Sequence, residues 1–265
     1  MPEGDTILWA ATRIRPVLEG RVPEAIDMPA GRVGGPRGPE AHSRWPAQLA
    51  GRAVTRIETR GKNLLLHFEG ELVLRSHLRM TGSWGVYGPG QRWRRPRPRA
   101  WIVFEHGGSE VVQFDGPVLE LLTESRARTY RPLTELGPDI LADEFDEALF
   151  LTRLRRGDPS RPIGEALLDQ RTLAGIGNIW KSEGCWEARV DPWREVGTVT
   201  DGEALAIVGG ARPRMLHSGL EGPRAVAPRV YRLHHRPCGR CGTQILARHQ
   251  GDANRVTYWC PGCQI

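Results

Sequence analysis

Apolar positions change their period along the chain. Ile7, Ala11, Ile14 and Leu18 recur three or four residues apart, which predicts an amphipathic helix over residues 5–18. Across residues 54–112 the spacing shortens to two: Leu64, Leu66 and Phe68, then Leu72, Leu74 and Leu78, face one way, as in an antiparallel sheet. Glu69-Gly70 and Gly107-Gly108 fall where hairpin turns belong, and together these runs predict a sandwich. After Pro138 the period is helical, over residues 145–156, 163–170 and 178–187. The last two are parted by Thr172-Leu173-Ala174-Gly175-Ile176-Gly177, so the pattern reads helix, tight turn, helix. Residues 130–143, with Leu136-Gly137-Pro138 in the middle, predict a linker between a β half and an α half. Residues 91–99, rich in Arg and Pro, predict a solvated loop, with DNA contact as the second reading.

Composition narrows the class. With 265 residues the chain is long enough for two domains, and 39% hydrophobic with 26% charged residues is the range of soluble globular proteins. No run is long enough to span a bilayer, so no membrane partner is expected, and the start lacks the basic and apolar regions of a signal peptide. A cytoplasmic location follows as the expectation. Net charge is +6 and the excess is arginine, whose guanidinium forks match phosphate; this favours a nucleic-acid partner, although charge alone is weak evidence.

Four of the five cysteines form two knuckles, Cys238-Gly-Arg-Cys241 and Cys260-Pro-Gly-Cys263, with 18 residues between them. Each knuckle presents two thiolates to one tetrahedral ion, and the intervening residues suffice for two strands and a turn, with Val256 to Trp259 as β-formers. A redox dithiol needs only one knuckle and a thioredoxin-like βαβ context that the pattern lacks. One structural zinc ion is expected. Four thiolates close its coordination shell, and no catalytic metal is expected. Cys185 reads as a small buried hydrophobe in a helix; His234 and His235 are surplus as ligands.

Pro2 follows the initiator methionine, whose removal a small second residue permits. The exposed secondary amine would titrate near 7.7 to 8.0 against about 10.4 for lysine, leaving a far larger unprotonated fraction at neutral pH. With a carbonyl or a sugar C1′ it gives an iminium, and Glu3 beside it could protonate a leaving oxygen or shuttle the proton that the amine sheds. Taken alone, Met-Pro-Glu reads more simply as the start of a helix.

Five segments then coincide: Met1-Pro2-Glu3-Gly4-Asp5, Glu58-Thr59-Arg60-Gly61-Lys62, Leu167-Leu168-Asp169-Gln170, Gly175-Ile176-Gly177-Asn178 and Tyr258-Trp259-Cys260-Pro261-Gly262-Cys263-Gln264. Together they resemble the formamidopyrimidine-DNA glycosylase and endonuclease VIII family of base-excision repair enzymes. The resemblance implies an α+β fold: an N-terminal catalytic β-sandwich domain with a leading helix (1–130), a hinge linker (131–143), a helix-two-turns-helix domain (144–230) and a C-terminal zinc hairpin (231–265). It implies a bifunctional glycosylase and abasic-site lyase, working as a monomer on damaged double-stranded DNA, with single strands as a further substrate, by β,δ-elimination. Pro2 would attack C1′ of a flipped nucleotide, Glu3 would act as general acid, Lys62 would supply a proton in β-elimination and bind phosphate, and Arg255 would bind phosphate and assist δ-elimination. Asn178 would position a phosphate at a helix start whose amides Gly175 and Gly177 leave open; its plain alternative is a helix N-cap. Lys62 and Arg255 have solvated faces as theirs.

Extruding a base leaves a gap that such enzymes fill with inserted side chains. Met80, in His77-Leu78-Arg79-Met80-Thr81-Gly82, is the candidate wedge, with core packing as its alternative, and Arg79 would reach the opposite strand. Two departures lean toward the endonuclease VIII branch and oxidised pyrimidines. Gly4-Asp5 stands where the formamidopyrimidine branch has leucine and proline, and Gln113-Phe114-Asp115-Gly116 where it has Arg-Arg-Phe-Gly. A catalytically silent DNA-binding protein is the competing reading.

Overall fold

The computed structural model describes residues 2–29, 44–252 and 254–265; Met1, and with it the expected cleavage, lies outside them. These residues form two units, Thr6–Thr134 with Pro2, and Glu135–Ile265 with Glu3–Asp5.

In the first unit, helix α1 (Gly4–Leu18) starts one residue earlier than its pattern predicts. Ile7, Ala11, Ile14 and Leu18 are fully buried. After β1 (Ala25–Asp27) and α2 (Trp45–Leu49) come β2 (Val54–Arg60), β3 (Asn63–Phe68), β4 (Leu72–His77), β5 (Ser83–Tyr87), β6 (Ala100–His106), β7 (Ser109–Phe114) and β8 (Val118–Thr123). They make two antiparallel four-stranded sheets, ordered β2-β3-β4-β8 and β1-β6-β7-β5. One core cluster joins the α1 stripe to Ile57, Leu64, Leu66, Phe68 and Leu74 of the first sheet and Ile102, Phe104 and Val111 of the second. This is the expected sandwich. Its β6–β7 hairpin turns on Gly107 and Gly108, both left-handed (φ 56° and 71°), the paired conformation whose twist matches two antiparallel strands.

β3 departs from period two, since Leu65 and His67 are buried as well as Leu64 and Leu66. A polar network covers its second face. His67 lies 3.2 Å from Glu58 and 2.5 Å from Glu124, the first residue of α3 (Glu124–Arg128). Arg75 donates to Asn63 Oδ1 and to Glu120, beneath the ring of Tyr130. Alternation marks a strand with one wet face, and this strand has none.

Residues 91–99 form the expected exposed loop, with Trp93 and Arg95 half-buried in it. Trp93 stacks edge-on against Phe114 (centroids 5.7 Å apart) and packs on Tyr87, in a cluster with Ala100, Val103 and Val112 on the outer face of the second sheet. Its indole donates to Glu110, Arg95 and Arg99 pair with Asp115, and Arg97 pairs with Asp27. The segment is a pinned cover, because a single tryptophan supplies the anchor that its composition hides.

The expected linker is structured. Residues 131–134 form α4 (Arg131–Thr134), and the following backbone pairs with the helical unit: Gly137 N donates to Gln170 O, Ala174 N to Pro138 O and Ile140 N to Ala174 O. Those partners lie more than thirty residues away, beyond the reach of a local pattern.

The second unit holds α5 (Glu147–Arg155), α6 (Ile163–Leu168), α7 (Asn178–Glu187) and α8 (Asp201–Glu221), followed by β9 (Leu246–Gln250) and β10 (Arg255–Trp259). α6 stops two residues short of its predicted end because Gln170 turns back, donating to Leu168 O and Ile176 O and accepting from Gly175 N. The sequence pattern misses α8. A Thr200/Glu203 capping box marks its start, while Gly209, Gly210 and Pro213 in its interior mask the periodicity.

Candidate active site and metal centre

The first turn of α7 would leave its leading amides without partners inside the helix. Glu3 supplies the acceptor. Its carboxylate, fully buried, accepts from Ile179 N at 2.8 Å and Trp180 N at 3.3 Å. Gly177 is the N-cap, and a Cβ on it would stand 2.3 Å from the Glu3 carboxyl carbon. The missing side chain therefore makes room for Glu3, and two of the amides at that helix start are engaged by it. The following residues are tied as firmly. Gly4 N donates to Gly175 O at 2.8 Å, and Asp5 accepts from Ser218 Oγ at 2.6 Å in a buried pair. The Gly4-Asp5 departure thus has a physical reason: Gly4 passes close against Gly175, and Asp5 has a buried partner.

Asn178 is the first residue of α7, and no side-chain cap forms there, which removes its N-cap alternative. Instead its Nδ2 donates to Val256 O at 2.7 Å, fastening the helix to β10 one residue from Arg255. One turn on, Lys181 makes a second tie that sequence reasoning missed. Its fully buried ammonium donates to Gln250 Oε1 and Thr257 Oγ1, on the two paired strands of the hairpin. Burial pulls its pKa down to about 8 against the opposing pull of Cys185, Glu3 and Glu165. The spacing of Asn178 and Lys181, three apart on one helix face, was the available signal. Arg255 opens β10 opposite Gln250 and is half-buried.

The four cysteines of the knuckles converge. Their sulfurs lie within 4.8 Å of one another, with Cys241–Cys260 at 3.4 Å and Cys238–Cys263 at 3.9 Å. A tetrahedral ion with metal–sulfur bonds near 2.3 Å sets sulfurs about 3.8 Å apart, so the cluster could hold one metal ion through all four. The indole of Trp186 donates to Cys238 Sγ, orienting one ligand from α7. Cys185 is elsewhere, fully buried, with its thiol pushed up to about 12 by that burial, as an inert core residue would be.

In the sandwich unit, Lys62 follows Gly61 in the β2–β3 turn and is half-buried. His77, at the end of β4, accepts from Arg79 N at 3.2 Å. Burial, then the charges of Arg75, Arg79 and Lys62, push its pKa down to about 4, so a neutral imidazole sits among three cations. Arg79 adopts a left-handed backbone (φ 49°) in the turn that follows. Met80 is 57% exposed, which rules out core packing as its role. Pro2 is half-buried.

The family model of the formamidopyrimidine-DNA glycosylase N-terminal domain matches residues 1–117, and that of the formamidopyrimidine-DNA glycosylase H2TH domain matches residues 136–225. The chain is 40% identical to a probable endonuclease 8 2 of Streptomyces coelicolor, covering all of this chain and 94% of the relative. It is 33% identical to the DNA-(apurinic or apyrimidinic site) lyase Nei2 of Mycolicibacterium smegmatis, covering all of this chain and 99% of that one. A Lactococcus lactis Fpg structure, solved with DNA containing N7-benzyl-Fapy-dG, superposes with a TM-score of 0.83 at 23% identity over 99% of both chains.

Proposed function

Because the chain belongs to the formamidopyrimidine-DNA glycosylase and endonuclease VIII family, we propose that it is a bifunctional DNA glycosylase and abasic-site lyase using Pro2 as nucleophile. The anchoring of Glu3, Gly4 and Asp5 carries this reading. Three successive residues pinned by backbone and buried side-chain bonds deliver the preceding residue in a fixed place, which is what an attacking amine needs. Once Met1 is gone, the Pro2 nitrogen attacks C1′, the bond from C1′ to the damaged base breaks with its electron pair, and the base leaves as its anion and takes a proton from solvent. Glu3 takes the proton shed by the amine and returns it to the sugar ring oxygen as the ring opens to the iminium. Loss of the C2′ proton expels the 3′ phosphate, and a second elimination expels the 5′ phosphate. Lys62 and Arg255 are assigned to phosphate binding and proton delivery in those steps. Asn178 keeps one amide hydrogen for a phosphate while the other holds Val256.

Arg79 and Met80 are assigned to the gap left by the flipped base, an exposed turn being suited to that insertion. The metal is assigned as one structural zinc on Cys238, Cys241, Cys260 and Cys263, which holds the hairpin and takes no part in bond breaking. Damaged duplex DNA is the partner, with oxidised pyrimidines favoured by the Gly4-Asp5 start and by likeness to proteins named endonuclease 8.

Borohydride reduction tests the assignment. Processed protein should become covalently trapped on abasic-site DNA, and Pro2→Gly should abolish the adduct. Salt-sensitive binding without any adduct or cleavage would overturn it in favour of a silent DNA-binding protein.

A further inference from the structure

A cavity of about 480 Å³ opens on the sandwich unit beside β5, none of whose lining residues is assigned a role above. Its walls include Arg13 from α1 and Arg92, Arg94 and Arg95 from the cover segment, and its apolar lining includes Trp84, Tyr87 and Phe114. Among the described residues no carboxylate lines it. Of the four guanidiniums only Arg95 is neutralised there, by Asp115; Arg13 donates to Val86 O and stacks on Trp9. Arg92 and Arg94 are exposed, and among the described residues their side chains have neither an ion pair nor a hydrogen bond.

The backbone that carries these two side chains is held in place. Trp93 between them is half-buried against the outer cluster and bonded to Glu110, and Arg94 N donates to Tyr87 Oη, so the backbone that carries both is fixed. Gly85 belongs to the same arrangement, since a Cβ there would stand 2.5 Å from the Tyr87 ring. Four guanidiniums around one cavity, with a single carboxylate among their partners, give it a positive field that suits an anion. The same segment is tied to the Arg79–Met80 turn, because Arg95 donates to Thr81 O.

We propose that this cavity binds an unpaired nucleotide of a DNA strand running on from the lesion. Arg92 and Arg94 meet its phosphates, and the base enters the cavity beside the half-buried Trp84. Its volume falls in the range that holds small ligands, and a base stacked inside a duplex is not free to enter it. Guanidinium and aromatic surfaces together are the usual means of holding single strands. The proposal rests on the reading of the Arg79–Met80 turn as the DNA-facing wedge.

The test compares a short blunt abasic duplex with the same duplex carrying a six-thymidine extension at each end in turn. The native protein should bind one extended form about tenfold more tightly than the blunt form. Arg92→Ala with Arg94→Ala should lose that gain while keeping blunt-duplex affinity and borohydride trapping. It should also flatten the dependence of log K on log salt for the extended form by about 1.4. Arg128→Ala with Arg156→Ala, the same loss of charge elsewhere, should keep the gain. An absent gain in the native protein, or a gain that survives in the first variant, overturns the nucleotide site. Failure of native protein to trap on any abasic DNA would instead overturn the lyase reading, which separates the two outcomes.

Discussion

The start of α7 and the turn after β4 are both assigned to DNA work, yet their surroundings are opposite. At α7, Glu3 and Lys181 are fully buried and each polar head has named partners, while Asn178 clasps the hairpin. At the turn, Met80 is exposed and Arg79 holds a left-handed backbone. Groups that must meet a reacting atom within a fraction of an ångström gain from burial, since packing removes alternative positions before substrate arrives. A side chain that fills a variable gap in a base stack gains from exposure and flexibility. The first region therefore joins stability to function, and the second separates them.

Removing the metal should have the largest effect, because it releases the hairpin that α7 holds. Chelation, or Cys260→Ser, is expected to abolish binding to abasic duplex while the sandwich keeps its far-ultraviolet signal; retained affinity in metal-free protein would break the assignment. Glu3→Ala comes next. It strands the amides of Ile179 and Trp180, at about 1–3 kcal/mol for each, and hydrogen exchange should show the first turn of α7 opening while the sandwich strands stay protected. Glu3→Gln, which keeps an accepting oxygen, should open it less.

Lys181 gives a smaller effect with a distinctive pH dependence. Its folded pKa, about 8, lies below the ordinary 10.5, so between those values the unfolded chain binds more protons and stability rises with pH. The full swing is on the order of 3 kcal/mol. Lys181→Met should remove that rise, and equal slopes for native and variant proteins between pH 8 and 10 would show that the ammonium is not buried as described. The smallest stability change belongs to the exposed turn. Met80→Ala should alter unfolding free energy by less than about 0.5 kcal/mol while weakening binding to lesion duplex. A large loss of stability would mean that the two regions are less different than they look.

The chain has only two lysines, Lys62 and Lys181, against 35 arginines (37 basic residues less two). One was singled out through its motif; the other, fully buried, was missed. The reason is that its partners, Gln250 and Thr257, lie about seventy residues away and no local pattern links them. The segment around Arg92 and Arg94 was legible in part. Its Arg and Pro content is that of a wet loop, which it is, and the one tryptophan that pins it gives no local signal of its partners.

Local chemistry determined the rest. Paired CxxC knuckles, the heptad-like stripe of α1, the bounds of α7 and the glycine turn between β6 and β7 each depend on residues close in sequence, so they were legible before any coordinates. The tertiary structure alone decided which groups satisfy one another. A buried acceptor must find its donors wherever the fold brings them, and so Gly177 proved to be space for Glu3, Asn178 a clasp on Val256, and residues 137–140 a set of backbone bonds to Gln170 and Ala174.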